Sequence, residues 1–130
     1  MFDAVIADLE AIYRAELEDD DFAPTSKLSE RDVLKWSKQL AVSKGTLYDE
    51  VAMFLARGFH KRELPFAFCD NIINDLWVLS RFAEEFPPDL FWSVYRAFDE
   101  GEDERRVGED PAEIYTRPRI AEIVELHPAR

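Results

Sequence analysis

The sequence predicts an all-α protein: a single compact domain spanning residues 1–130, six or seven short helices in an irregular bundle. Three observations predict it. Apolar residues recur at spacings of three and four along nearly the whole chain. No stretch alternates with period two for long enough to make a strand. The 130 residues, 47% hydrophobic and 13% aromatic, are one domain's worth of chain with material for a real core.

The elements follow in order. Phe2, Val5, Ile6, Leu9, Ile12 and Tyr13 make the one-sided stripe of an amphipathic helix, with Asp3, Asp8, Glu10 and Glu18 opposite. The run Glu18-Asp19-Asp20-Asp21 opposes the helix macrodipole and should end that helix. Ser29, with Asp32 three residues on, has the form of a capping box. It opens a helix through Val33, Leu34, Ser37, Leu40 and Ala41, with Trp36 at its flank. Gly45 is the expected stop, and Thr46 the expected cap of a helix carrying Leu47, Val51, Phe54 and Leu55. Pro65 can begin a helix that runs to Phe82 along Phe66, Cys69, Ile72, Ile73, Leu76 and Leu79. Asp89 should cap a short helix with Leu90, Phe91, Val94, Tyr95 and Phe98, closed by Gly101. Residues 99–110 read as an acidic loop. Asp110-Pro111-Ala112-Glu113 reads as cap, first-turn Pro and N3 carboxylate, and Pro118 should divide the last region into two short helices.

Charge narrows the partners. The net charge of −12 is uneven: residues 3–21 carry −7 and residues 99–113 carry −6, whereas residues 27–62 carry +4. Such a field repels nucleic acid and anionic membrane and attracts basic proteins. Uncharged runs of about six residues fall far short of the ~18 that a membrane helix needs. Asp3, Asp8 and Glu10 follow Met1 so closely that no secretory signal is expected. One cysteine makes no internal disulfide and suits a reducing cytoplasm. Eleven Arg against five Lys hint at a GC-rich bacterial genome.

Chemistry-bearing motifs are sparse. Cys69 lies on an apolar face, where a thiol behaves as a small hydrophobe. The four glycines form no phosphate cradle. His60 and His127 have no metal-ligand spacing, and Glu104 and Asp110 stand where a calcium loop needs Gly and Glu. No catalytic residue, metal or cofactor is predicted, and the chain is read as not an enzyme.

The sharpest local signal is Val42-Ser43-Lys44-Gly45-Thr46-Leu47-Tyr48, in the net-basic segment. It resembles the turn and the start of the recognition helix in the tetracycline-repressor family of transcription regulators. Ala41, Gly45 and Val51 fall where a helix-turn-helix places a small residue, a turn residue and a buried aliphatic. The resemblance implies a DNA-binding unit at residues 33–57, read by Ser43, Lys44, Thr46 and Tyr48. Asp49 and Glu50 follow at once and would push phosphate away.

The favoured reading is a small acidic module of the cytoplasm that binds a basic protein. It would occlude that partner's surface in the manner of an inhibitor or immunity protein. Asp19, Asp20, Asp21, Asp99, Glu100, Glu102 and Asp103 would steer the encounter, and the aromatic Trp92 would anchor it. The helix-turn-helix reading is the alternative, and an enzyme with no recognisable motif is the third.

Overall fold

The computed structural model describes residues 2–19, 26–82, 87–102 and 108–128, with Phe82 described for its backbone alone. Among these residues there are seven α-helices and one π-helical turn, and no strand. The all-α expectation holds.

Helices α1 (Asp3–Ile12) and α2 (Arg14–Glu18) come from one continuous apolar stripe, yet the helix breaks at Tyr13, where φ is −106° and ψ is 29°. Tyr13 is fully buried, and its hydroxyl donates to the Asp75 carboxylate on a distant helix. A tertiary hydrogen bond therefore sits at the break that local periodicity did not reveal.

Helix α3 (Glu30–Leu40) starts as the sequence predicts, with the Ser29 N–H donating to Asp32 Oδ2 at 2.9 Å. Its end differs. Ala41 adopts the left-handed conformation at φ 54° and terminates the helix, so Gly45 is not the stop. Gly45 lies instead in the first turn of α4 (Lys44–His60), and the cap is Ser43, whose Oγ accepts from the Thr46 N–H at 3.1 Å. Trp36 is buried rather than flanking, and its Nε1–H donates to Asp8 Oδ2 at 2.8 Å. The polar face of α1 is thus partly spent on α3.

Pro65 precedes α5 (Phe66–Phe82). Asp89 was the expected cap of α6 (Asp89–Asp99), but it occupies the first turn, after Pro88. One free N–H of that turn is satisfied from α4: Phe91 N–H donates to Asp49 Oδ1 at 3.1 Å. Burial against α6 raises the Asp49 carboxyl above its ordinary range. Asp110 does cap its segment, accepting from the Ala112 N–H at 3.1 Å. The π-helical turn (Ala112–Thr116) then passes into α7 (Arg117–Leu126), with Pro118 in the first turn of α7, where proline costs no internal bond.

Helix α4 is central, with α3, α5, α6 and α7 packed around it. Phe59 is the hub: its ring lies 5.3 Å from Phe98 and 6.2 Å from Phe66, both edge-on. The Arg117 guanidinium sits 4.0 Å from the Phe59 centroid, and its Nη1 donates to the Phe59 carbonyl at 2.8 Å. The turn after α6 docks as tightly. The Thr116 hydroxyl donates to the Ala97 carbonyl at 2.7 Å, and a Cβ at Gly101 would stand 2.1 Å from Thr116 Oγ1 and 3.0 Å from Ala112 Cα. Gly101→Ala is therefore expected to cost about 2–3 kcal/mol, because the backbone of the π-helical turn must move. Urea unfolding of the variant checks this; an unchanged midpoint would mean that the approach is looser than described.

Candidate functional site

Helix α5 carries a polar stripe that interrupts its apolar face. Asp70 and Asn74, then Asn71 and Asp75, are each four residues apart and so stand one above the other. All but Asn74 are buried, and Glu16 and Glu102, one from each acidic segment, accept hydrogen bonds from Asn71 and Asn74.

From the N-terminal side comes Glu16 on α2, which is fully buried. Its Oε1 accepts from Lys27 Nζ at 2.8 Å and its Oε2 from Asn71 Nδ2 at 3.0 Å. Burial alone would raise the Glu16 carboxyl, but these two donors outweigh it and hold the group below its ordinary value. Lys27 also gives its backbone N–H to Asp75 Oδ2 at 3.1 Å, the oxygen that receives the Tyr13 hydroxyl. Burial raises Asp75, and burial together with Asp75 drives the Tyr13 phenol far above its usual range. Tyr13, Glu16, Lys27, Asn71 and Asp75 form one clasp between three separate stretches of chain.

From the other side comes Glu102, just beyond α6. Asn74 Nδ2 donates to Glu102 Oε2 at 2.7 Å and to Asp70 Oδ1 at 3.0 Å. Asp70 is 9% exposed, and Glu102, Asn74 and Asp99 act on it among the described residues. Burial first, then Glu102, push the Asp70 carboxyl up to about 9. An open cleft of about 430 Å³ lies here, lined by Ser26, Phe66, Asp70, Asn71, Asn74, Asp75 and Glu102.

The acidic cleft continues into an aromatic shelf. Helices α5 and α6 run antiparallel, since Asn74 meets Glu102 while Trp77, one turn on, meets Tyr95, two turns back. Trp77 and Tyr95 stack at 5.1 Å and 10°, and Tyr95 and Trp92 at 5.3 Å and 21°. Arg81 lies 5.5 Å from the Trp77 centroid, and Arg96 5.9 Å from that of Trp92. Burial, then Asp99, Glu102 and Asp70, raise the Tyr95 phenol. One seam thus runs from carboxylates at one end to three stacked rings at the other.

The residues expected from the sequence fall as follows. Trp92 is 38% exposed at the outer end of the shelf. Asp99 is exposed within the seam, Glu102 is exposed at the cleft, and Glu100 is half-buried at the end of α6. Asp19 is exposed at the end of α2. Asp20, Asp21 and Asp103 lie outside the described residues. Asp70, Asn71, Asn74, Asp75, Trp77 and Tyr95 were not foreseen as site residues. The signal was present: two acid-amide pairs four residues apart inside an otherwise apolar helix.

The residues of the helix-turn-helix reading have other occupations. Ser43 caps α4, the Lys44 ammonium pairs with Glu30 at 2.5 Å, and Thr46 donates to Ser43. Tyr48 is 3% exposed, its ring 5.1 Å from that of Phe91. A buried tyrosine offers nothing to a base edge. Cys69 is sealed in the core, its thiol 3.6 Å from the Leu55 carbonyl. Among the described residues, no group of three or more His, Cys, Asp or Glu side chains is placed to hold a metal ion. No described helix is long and apolar enough to cross a membrane.

Comparison with known proteins returns no matching family, no matching curated protein and no matching solved structure.

Proposed function

We propose that this protein binds a basic protein partner through the α5–α6 seam and acts by covering that partner's surface. The observation that supports it is the juxtaposition of the cleft around Asp70, Asn74 and Glu102 with the stack of Trp77, Tyr95 and Trp92. The chemistry is complementary at both ends. The exposed Asp99 and Glu102 attract and orient Lys or Arg side chains, and the exposed Trp92 ring supplies apolar area and a cation–π contact. The net charge of −12 adds long-range steering. We read the protein as an inhibitor or immunity-type module of a bacterial cytoplasm, because an enzyme that handles nucleic acid has a basic site that such a face would fill.

The test is kinetic. Asp99→Asn combined with Glu102→Gln should slow association with the partner by about tenfold at low salt, and the effect should shrink as salt screens the charges. An association rate that is independent of salt and unchanged in the double variant would overturn the proposal.

A further inference from the structure

We propose that the group this seam takes from its partner is an arginine side chain, whose guanidinium stacks on the Trp92 ring in the place now held by Arg96. The proposal rests on the partner-binding reading and names what that partner must present. The geometry is a ladder of flat groups. Tyr95 stacks on Trp77 at 10° and on Trp92 at 21°, so each tryptophan has one face on Tyr95 and one turned away. Arg81 lies over Trp77 and Arg96 over Trp92, each one turn further along its own helix. Both tryptophans of the shelf already carry a guanidinium.

The flatness of the ladder selects for arginine. A guanidinium is planar, stacks on an aromatic face and sheds water more readily than an ammonium, which is a compact, strongly hydrated charge. Of the three rings, Trp92 is the accessible one at 38% exposed, whereas Trp77 and Tyr95 are half-buried. Arg96 is itself exposed and stands 5.9 Å from the Trp92 centroid, at the outer limit of about 6 Å for a cation–π contact. A second guanidinium that approaches closer therefore displaces it. The surrounding charge favours the exchange: Asp99, exposed one turn beyond Tyr95, and Glu102 lie close enough to act on the Tyr95 phenol. A carboxylate beside a stacked guanidinium takes its edge N–H groups as a bidentate pair, a fit that an ammonium lacks.

Arg96 is then a stand-in. In the free protein it shields the indole, and in the complex it yields the ring and turns to solvent.

The test uses hexa-arginine and hexa-lysine peptides, equal in length and charge, titrated into the purified protein by calorimetry. Hexa-arginine should bind about fivefold more tightly than hexa-lysine. Trp92→Ala should cut that ratio to about twofold or less, since the charges on both sides stay the same. Arg96→Ala should raise the ratio, because both peptides feel the lost charge equally and the freed ring favours arginine. Equal affinities for the native protein, or a preference that survives Trp92→Ala, would overturn the arginine assignment and leave the partner-binding reading standing. A ratio unmoved by Arg96→Ala would overturn the stand-in. Binding of neither peptide would overturn the partner-binding reading, and this proposal with it.

Discussion

Lys27→Met is expected to destabilise the protein by about 3 kcal/mol at pH 7, and by much less near pH 4. The methionine keeps the apolar stem and deletes the charge. What it leaves behind is Glu16, with no exposed surface and, among the described residues, Asn71 as its remaining side-chain donor. An uncompensated buried carboxylate is among the costliest single-residue defects, and the 21% exposure of the Lys27 side chain places this one at the lower end of the usual range. The pH dependence follows from the direction of the Glu16 shift. In the native protein its carboxyl is held below the ordinary value, so the pair contributes stability above the unfolded carboxylate range, and that contribution is lost as acid protonates Glu16. In the variant Glu16 loses its cation and burial dominates. Its carboxyl is then raised, and stability falls as pH rises from about 4. Urea unfolding at pH 4 and pH 7 should therefore give a gap between the two proteins that widens with pH. An equal gap at both pH values would place the cost in packing and not in charge.

Trp92→Ala is expected to weaken partner binding by about ten- to a hundredfold, chiefly through faster dissociation. Its ring is the exposed end of the stack on Tyr95 and Trp77, so truncation removes contact area without opening the core. The thermal midpoint should move little, since the ring lies at the surface. This separates the anchor from the steering charges: Trp92→Ala should alter the off-rate, and the Asp99 and Glu102 changes the on-rate. Surface plasmon resonance at two salt concentrations reads both. A Trp92→Ala variant that dissociates as slowly as the native protein would remove the shelf from the interface.

What the sequence could carry was local. The period of three to four placed every main helix, because an amphipathic stripe must face a core whatever its partner is. Ser29 with Asp32, and Asp110 before Pro111, were legible because capping is settled within four residues. Two of the errors have a long-range cause. Asp89 looked like a cap, but Asp49, forty residues earlier, satisfies the Phe91 N–H, so the acid that spoiled a DNA-reading helix has a use in the fold. Tyr13 looked like the last apolar residue of one helix, and its hydroxyl reaches Asp75, where the helix breaks.

The site divides the same way. Trp92, Asp99 and Glu102 were legible as aromatic beside acid within one stretch of chain. Trp77 and Asn74, which complete the shelf and the cleft, come from the neighbouring helix, and no local pattern pairs them with α6. The polar stripe of α5 was the one readable sign, since carboxylates and amides four apart in an apolar helix must find partners when buried.

The central claim is that the α5–α6 seam meets a basic protein. The most direct measurement is capture of that partner by the native protein and by a Trp92→Ala, Asp99→Asn, Glu102→Gln variant, side by side at low and high salt. The account predicts one basic protein retained by the native chain, released as salt rises, and absent from the variant. A partner held equally by both proteins, or nucleic acid retained without any protein, would contradict it.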